Sequence, residues 1–371
     1  MVVSITVFLT IFFVSLFLAK IPACANNGRI PTRHINSLFA LYVPIIFASL
    51  LIGLRYNVGT DWMAYKTIFE DTPNIFDKAI ESSSTEVGFT ILNYLIKVLG
   101  LDYYWLFIVC TFISLWLYYK SFQDFKWLLP YGIYTLYTFN TIYLFLNIMR
   151  QGFAFFILLY GIRYLRERKL LKYLIFVALA TSVHSSSLLF LPLIIFAFYR
   201  KPILSVSGSL IVYMASWIFG SLIFPYLLNI SMLFMDDFYS SYLKLIENME
   251  MEEGSGLGML MMHICDLAII IFSKKNFGQF KVYGYDIYYN IFLIGIIFSN
   301  IAGMNMLLAR LPLCMFSMRL VLGAFLLYSA FREWGRLGIV RKSSALLFVV
   351  CSFAFFLANI SSFEYSFIFE H

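Results

Sequence analysis

Four arginines in this chain stand at the end of an apolar run or inside one, where a cation is costly unless it has a ligand or a partner. Arg55 follows the run that ends at Leu54 and opens the cluster Arg55-Tyr56-Asn57-Val58-Gly59-Thr60-Asp61-Trp62-Met63-Ala64-Tyr65. Arg150 and Gln151 fall where the apolar stretch 128–146 gives way to 151–165, and Arg310 falls between 286–305 and 311–330. Arg319 lies inside the last of these, on the order of 12 Å below its end at helical rise. A guanidinium there costs at least ~2.5–3.5 kcal/mol, so it should face the bundle interior or a wet cavity. His184 completes the set, in the turn Ser182-Val183-His184-Ser185-Ser186-Ser187 between two apolar runs.

These residue types suit group transfer next to a phosphate. Arginine binds phosphate bidentately and keeps its charge, so several converging on one membrane mouth call for an anion. A lipid-linked pyrophosphate fits, with its tail in the bilayer and its head at the mouth. The competing reading is pairing with Asp or Glu for structure or, for Arg55, snorkelling within an aromatic belt. An imidazole titrates near neutrality and suits His184 to accept a proton, although a histidine at a helix junction also serves as a satisfied structural residue. Asp61 competes as the base, or orients Arg55. Tyr56, Trp62, Tyr65 and Tyr143 can stack on sugar rings or anchor at the interface. Asp236-Asp237 can hold a divalent cation or form a solvated acidic surface, and Gly254–Gly258 reads as a hinge. The five cysteines (Cys24, Cys110, Cys265, Cys314, Cys351) are scattered, with no Cys/His cluster, so neither a disulfide framework nor a metal site is assigned. No nucleotide loop is present and no cofactor is called for.

The elements that must position these groups follow from composition. The chain is 61% hydrophobic and 13% charged, with mean hydropathy +0.84. That composition implies an all-α, polytopic integral membrane protein forming one domain over residues 1–371. Apolar runs fall at about 2–19, 36–54, 103–119, 128–146, 151–165, 171–183, 185–199, 203–223, 257–272, 286–305, 311–330 and 343–360, giving about twelve spans (10–13). Most of the 27 Lys and Arg residues, including Lys120, Arg163–Lys172, Arg200, Lys274, Lys275 and Arg332, fall in one set of loops. By the positive-inside rule that set is cytoplasmic, and both termini lie outside. The net charge of +7 is then a topology signal and not a sign of nucleic-acid binding. Residues 1–25 read as the first span, because no basic n-region precedes them. Two outer segments, 55–102 and 224–257, exceed simple connectors; within the first, 87–99 is too short to span and reads as an interfacial or re-entrant helix.

The cluster Arg55–Tyr65 resembles a motif of the EpsG family of bacterial polysaccharide proteins, relatives of the Wzy-type polymerases. Met149-Arg150-Gln151-Gly152-Phe153-Ala154 and Leu179–Leu188 are similar to the same family in order and spacing, over roughly residues 36–200. Beyond that the likeness rests on Gly254–Gly258 and Arg310. The resemblance implies a membrane glycosyltransferase with a fold related to the GT-C class. It would polymerise undecaprenyl-pyrophosphate-linked repeat units into O-antigen, capsule or exopolysaccharide on the outer face of the cytoplasmic membrane. It implies His184 and Asp61 as catalytic candidates, and Arg55, Arg150, Gln151, Arg310, Arg319 and Tyr65 as pyrophosphate or substrate contacts. The partners implied are lipid-linked oligosaccharides as donor and acceptor, membrane lipids, and a chain-length regulator and flippase. An O-antigen-ligase-like transferase and a lipid-linked-glycan flippase are the alternatives.

Overall fold

Lipid offers no partner to a free backbone group, so a chain in it must pair N–H and C=O within itself. The computed structural model of this protein is accordingly helical, with one isolated β-bridge, Arg55 to Phe367, among the described residues. Those residues are 2–25, 34–141, 143–232, 256–302, 310–361 and 365–370. The helices are α1 (Val2–Ala25), α2 (His34–Gly53), α3 (Trp62–Asp71), α4 (Phe76–Glu81), α5 (Val87–Val98), α6 (Tyr103–Ser121), α7 (Leu129–Thr138), α8 (Tyr143–Leu146), α9 (Met149–Arg166) and α10 (Leu170–Val183). After a 3₁₀ segment, Ser185–Ala197, come α11 (Val206–Met232), α12 (Leu257–Phe280), α13 (Tyr285–Ala302), α14 (Leu313–Phe316), α15 (Arg319–Arg332) and α16 (Ile339–Ser361).

By length and composition four stretches of the described residues can cross a membrane: Leu257–Tyr283, Tyr285–Ala302, Leu313–Arg332 and Ile339–Ile360. Tyr103–Ser121 and Lys126–Thr138 would make a fifth together, but they are bent by 118°. Other expected spans coincide with shorter apolar helices, among them Leu41–Gly53, Leu170–Val183 and Val206–Gly220.

Three expected spans differ in form. The run 128–146 is not one helix. Asn140 adopts a left-handed φ of 54°, and the Asn140 and Thr141 N–H groups donate back to Tyr137 and Leu136 at 2.9 and 3.2 Å. That pattern closes the C-terminus of α7 and frees the chain to return through α8. The run 185–199 is 3₁₀ over Ser185–Ala197, 13 residues; at ~2.0 Å per residue these reach about 26 Å, against about 20 Å as α-helix. The run 311–330 is broken between α14 and α15. In the second outer segment α11 continues to Met232, while 233–255, with Asp236-Asp237, Gly254 and Ser255, lies outside the described residues.

The central element is α9. Residues 151–159 are all buried, with α6, α10 and the 3₁₀ segment packed around them. Arg168, at φ 57°, turns the chain between α9 and α10, its N–H and that of Lys169 donating to Leu165 and Tyr164 at 3.1 and 2.9 Å. The two helices run antiparallel, so the first turn of α9 and the last of α10 come to the same end of the bundle, where Glu86 bonds both Arg150 and the Ser185 N–H.

The other end collects paired charge. Arg166 bonds Asp124, Arg200 grips both oxygens of Asp286 at 2.7 and 3.0 Å, and Lys275 meets Glu333 at 2.7 Å. At the α9 N-terminal end the segment 365–370 straps residues 54–56: Tyr56 N–H donates to Ser366 (2.9 Å) and Ile368 N–H to Leu54 (3.0 Å).

Candidate functional site

The sequence Asn57-Val58-Gly59-Thr60 turns the chain sharply between α2 and α3. Asn57 and Gly59 have φ of 50° and 97°, and a Cβ on Gly59 would lie 2.1 Å from the Leu146 carbonyl oxygen. Only glycine permits that approach. The turn is tied to the chain before α9, since Asn147 Oδ1 accepts from the Thr60 N–H (2.7 Å) and hydroxyl (3.0 Å). Asp61 is thereby set beside the first turn of α9, its carboxylate accepting from Thr60 Oγ1 at 3.2 Å.

A cavity of about 500 Å³ lies there, lined by Asp61, Tyr65, Arg150, Gln151, His184 and Arg310. Four stretches of sequence supply them. Arg150 and Gln151 stand in the opening turn of α9, where the helix dipole adds positive potential. His184 follows α10. Arg310 precedes α14, its carbonyl accepting from Gln151 Nε2. Tyr65 is buried on α3 and its hydroxyl accepts weakly from the Arg150 N–H at 3.4 Å; burial raises this phenol above its ordinary pKa and keeps it protonated.

One carboxylate holds the arrangement together. Glu86, immediately before α5, accepts from Arg150 Nη1 at 2.6 Å through one oxygen and from the Ser185 N–H at 2.9 Å through the other. Nδ1 of His184 lies 3.3 Å from that second oxygen, without the alignment of a hydrogen bond in this pose. Burial alone would raise the Glu86 pKa. The neighbouring His184 ring, the Ser185 and Glu86 N–H groups and the Arg150 charge outweigh it and hold the carboxyl at about 2. Glu86 is therefore an anion at any physiological pH.

Several donors here remain unspent. Arg150 Nε, His184 Nδ1 and Ser186 Oγ are buried without a hydrogen-bond partner among the described residues, and no described carboxylate pairs with Arg310. Buried polar atoms are nearly always satisfied by protein, water or ligand. Two arginines beside a helix N-terminus fit a phosphate; a histidine backed by a carboxylate fits proton transfer.

Two of the predicted contacts lie elsewhere. Arg55 is 0% exposed and is a packing residue. Its guanidinium donates to the carbonyls of Ile52 (2.7 Å), Phe145 (2.8 Å) and Val58 (3.1 Å) and lies 4.2 Å from the centroid of Phe107. Each of its three nitrogens is engaged inside the protein, away from the cavity, and no ion pair joins it to Asp61 among the described residues. Arg319 faces the interior, as its cost requires, but pairs with Asp266 of α12 at 3.0 Å and sits 4.8 Å from the centroid of Phe316. Tyr56 and Trp62 pack on each other, with Trp62 almost wholly buried. Tyr143's side chain lies outside the described set.

Glu86, Asn147 and Asp266 were not singled out from sequence. A carboxylate abutting an apolar helix start marks Glu86, and one inside an apolar run marks Asp266. Asn147 carries no such signal.

Against known families, a model described as the EpsG family matches residues 38–370. No curated protein matches the chain, and no solved structure does.

Proposed function

This chain belongs to the EpsG family of Wzy-like polysaccharide polymerases, and on that premise we propose that it joins polyprenyl-pyrophosphate-linked repeat units into polymer at the cavity between α3, α9 and α10. The observation that carries the reading is the convergence of Arg150, Arg310 and a carboxylate-backed His184 on one cavity. An acceptor sugar hydroxyl attacks the anomeric carbon of the donor glycan. The new C–O bond forms as the bond to pyrophosphate breaks, and its electron pair leaves with the lipid pyrophosphate. Arg150 and Arg310 meet the charge that develops there, the kind of preorganised stabilisation that supplies large catalytic terms. His184 takes the hydroxyl proton; with Nδ1 turned toward Glu86, Nε2 is the nitrogen left for it. Asp61 binds sugar hydroxyls from the α3 wall, Tyr65 braces the Arg150 backbone, and Gln151 fixes the Arg310 backbone.

No nucleotide sugar enters this reaction. It suits a face opposite the basic loops, that is, the outer face of the cytoplasmic membrane, reached by about twelve helical passes with both termini outside and a GT-C-like arrangement. A flippase supplies substrate and a chain-length regulator limits product. Lipid-linked saccharides extracted from a strain lacking the chain, added to the purified protein in liposomes, should yield a ladder and free polyprenyl pyrophosphate. A ladder that forms only when nucleotide sugar is supplied would overturn the proposal.

A further inference from the structure

At the end of the bundle opposite the candidate site, two cavities share a wall. One, of about 570 Å³, lies between α1, α7, α15 and α16; its lining is apolar and aromatic, Leu16, Tyr131, Leu327 and Phe331 among it, with Lys20 the charged member. The other, of about 870 Å³, is lined by Gln279, Ser329, Arg332, Glu333 and Arg336. Trp127 and Tyr328 line both, their ring centroids 4.2 Å apart. The last turns of α15 make the division. Leu327 and Phe331, one turn apart, face the apolar cavity, whereas Ser329 and Arg332 face the polar one. Tyr328 stands between them, and its hydroxyl accepts from Arg332 Nη1 at 2.7 Å. Phe331 is 63% exposed, so the apolar cavity is open at the bundle surface. In the polar cavity the Glu333 carboxylate is already answered, by Lys275 at 2.7 Å and by Gln279 Nε2 at 2.5 Å. Arg332 and Arg336 are exposed, and among the described residues neither forms an ion pair.

We propose that the joined cavities are a site for an anionic phospholipid of the surrounding bilayer, with its phosphate at Arg332 and Arg336 and the start of an acyl chain beside Leu327 and Phe331. Charge selects the head. Guanidinium groups grip phosphate oxygens bidentately, and basic pockets between membrane helices take anionic head groups. A zwitterionic lipid would bring an ammonium against the same arginines. The shared wall selects a lipid over a free phosphate, which would leave the apolar cavity unused. Trp127 and Tyr328 fall at the junction of head and tail, the level at which amphipathic rings are favoured. This site lies across the bundle from Arg150 and His184 and does not draw on the polymerase reading.

Brominated lipid provides the test, because bromines on an acyl chain quench a tryptophan they touch. The full-length protein is placed in phosphatidylcholine liposomes, and the Trp127 signal is taken as wild type minus Trp127→Phe. Brominated phosphatidylglycerol should half-quench it at a mole fraction about fivefold or more below that of brominated phosphatidylcholine, the scale for a basic residue at an anionic head group. That preference should disappear in Arg332→Gln with Arg336→Gln. An equal loss of charge at the same end, Arg168→Gln with Lys172→Gln, should keep it. All four positions are exposed, so both double variants should melt as wild type does. Dissolved glycerol phosphate should not restore the fluorescence. Equal quenching by the two lipids, or a preference that survives the Arg332 and Arg336 changes, would overturn the proposal. An equal loss in the Arg168 and Lys172 pair would reduce the site to a diffuse basic surface and overturn it as well. Relief by glycerol phosphate would do the same, by giving the cavity to a soluble anion.

Discussion

Arg55 and Arg150 stand at the same end of the bundle, on two segments that the Thr60–Asn147 bonds tie together. One is wholly buried and spends its fork on three carbonyls. The other leans one nitrogen on Glu86 and leaves Nε without a partner beside an open cavity. A guanidinium that bonds three carbonyls fixes a fold, because removing it orphans acceptors that no water reaches. A guanidinium held at one edge by a carboxylate is aimed, with donors to spare. Arg319 is also held by a carboxylate, Asp266, with Nε unpartnered, but it does not line that cavity. Charge in a membrane protein thus has no single meaning; what its donors meet decides.

The sharpest way to break this contrast is Arg150→Lys. Lysine keeps the charge but loses the second donor edge, and we expect polymer to fall by about 100-fold or more at matched membrane levels. Ladder analysis checks it, and near-normal ladders would reduce Arg150 to a packing residue like Arg55.

Glu86→Gln should cost roughly 10–100-fold in polymer formation, the scale for groups that orient an active residue. It also carries a pH signature. The Glu86 pKa is depressed to about 2 in the folded protein, so its contribution is fully present above the ordinary carboxylate range and disappears as pH falls from ~4.5 toward 2. The melting-temperature gap between wild type and Glu86→Gln should be constant from pH 8 to 5 and close below that. A gap that closes between pH 8 and 6 would contradict the ionised cluster.

Arg55→Lys should act on the fold and not on turnover. One ammonium cannot serve carbonyls on Ile52, Val58 and Phe145 together, and each orphaned acceptor costs about 1–3 kcal/mol. Lower membrane abundance and a melting point several degrees down should accompany turnover per folded molecule within about twofold of wild type. Full abundance with no polymer would move Arg55 into the site. Tyr65→Phe is the smallest change expected, about threefold or less, because the hydrogen bond lost is long and the buried ring remains; a larger drop would assign the phenol a direct contact with substrate.

Apolar runs and their Lys/Arg flanks were enough to read a helical membrane chain, since lipid leaves the backbone no other choice. The motif residues were enough to place Arg150, Gln151, His184, Arg310, Asp61 and Tyr65 together as candidates, and one cavity gathers them. The sequence could not separate Arg55 from Arg150, because both are arginines beside apolar runs. Their difference arises from Phe145 and Phe107 closing over one side chain and a cavity facing the other. Glu86 stayed hidden in a polar stretch until the α9–α10 hairpin brought Arg150 and Ser185 to it across 64 and 99 residues. Asn140 ending α7, and the 3₁₀ course of Ser185–Ala197, likewise depend on neighbours in space. Backbone satisfaction is a local requirement and is written in composition. Which donor meets which acceptor is settled only when distant segments pack.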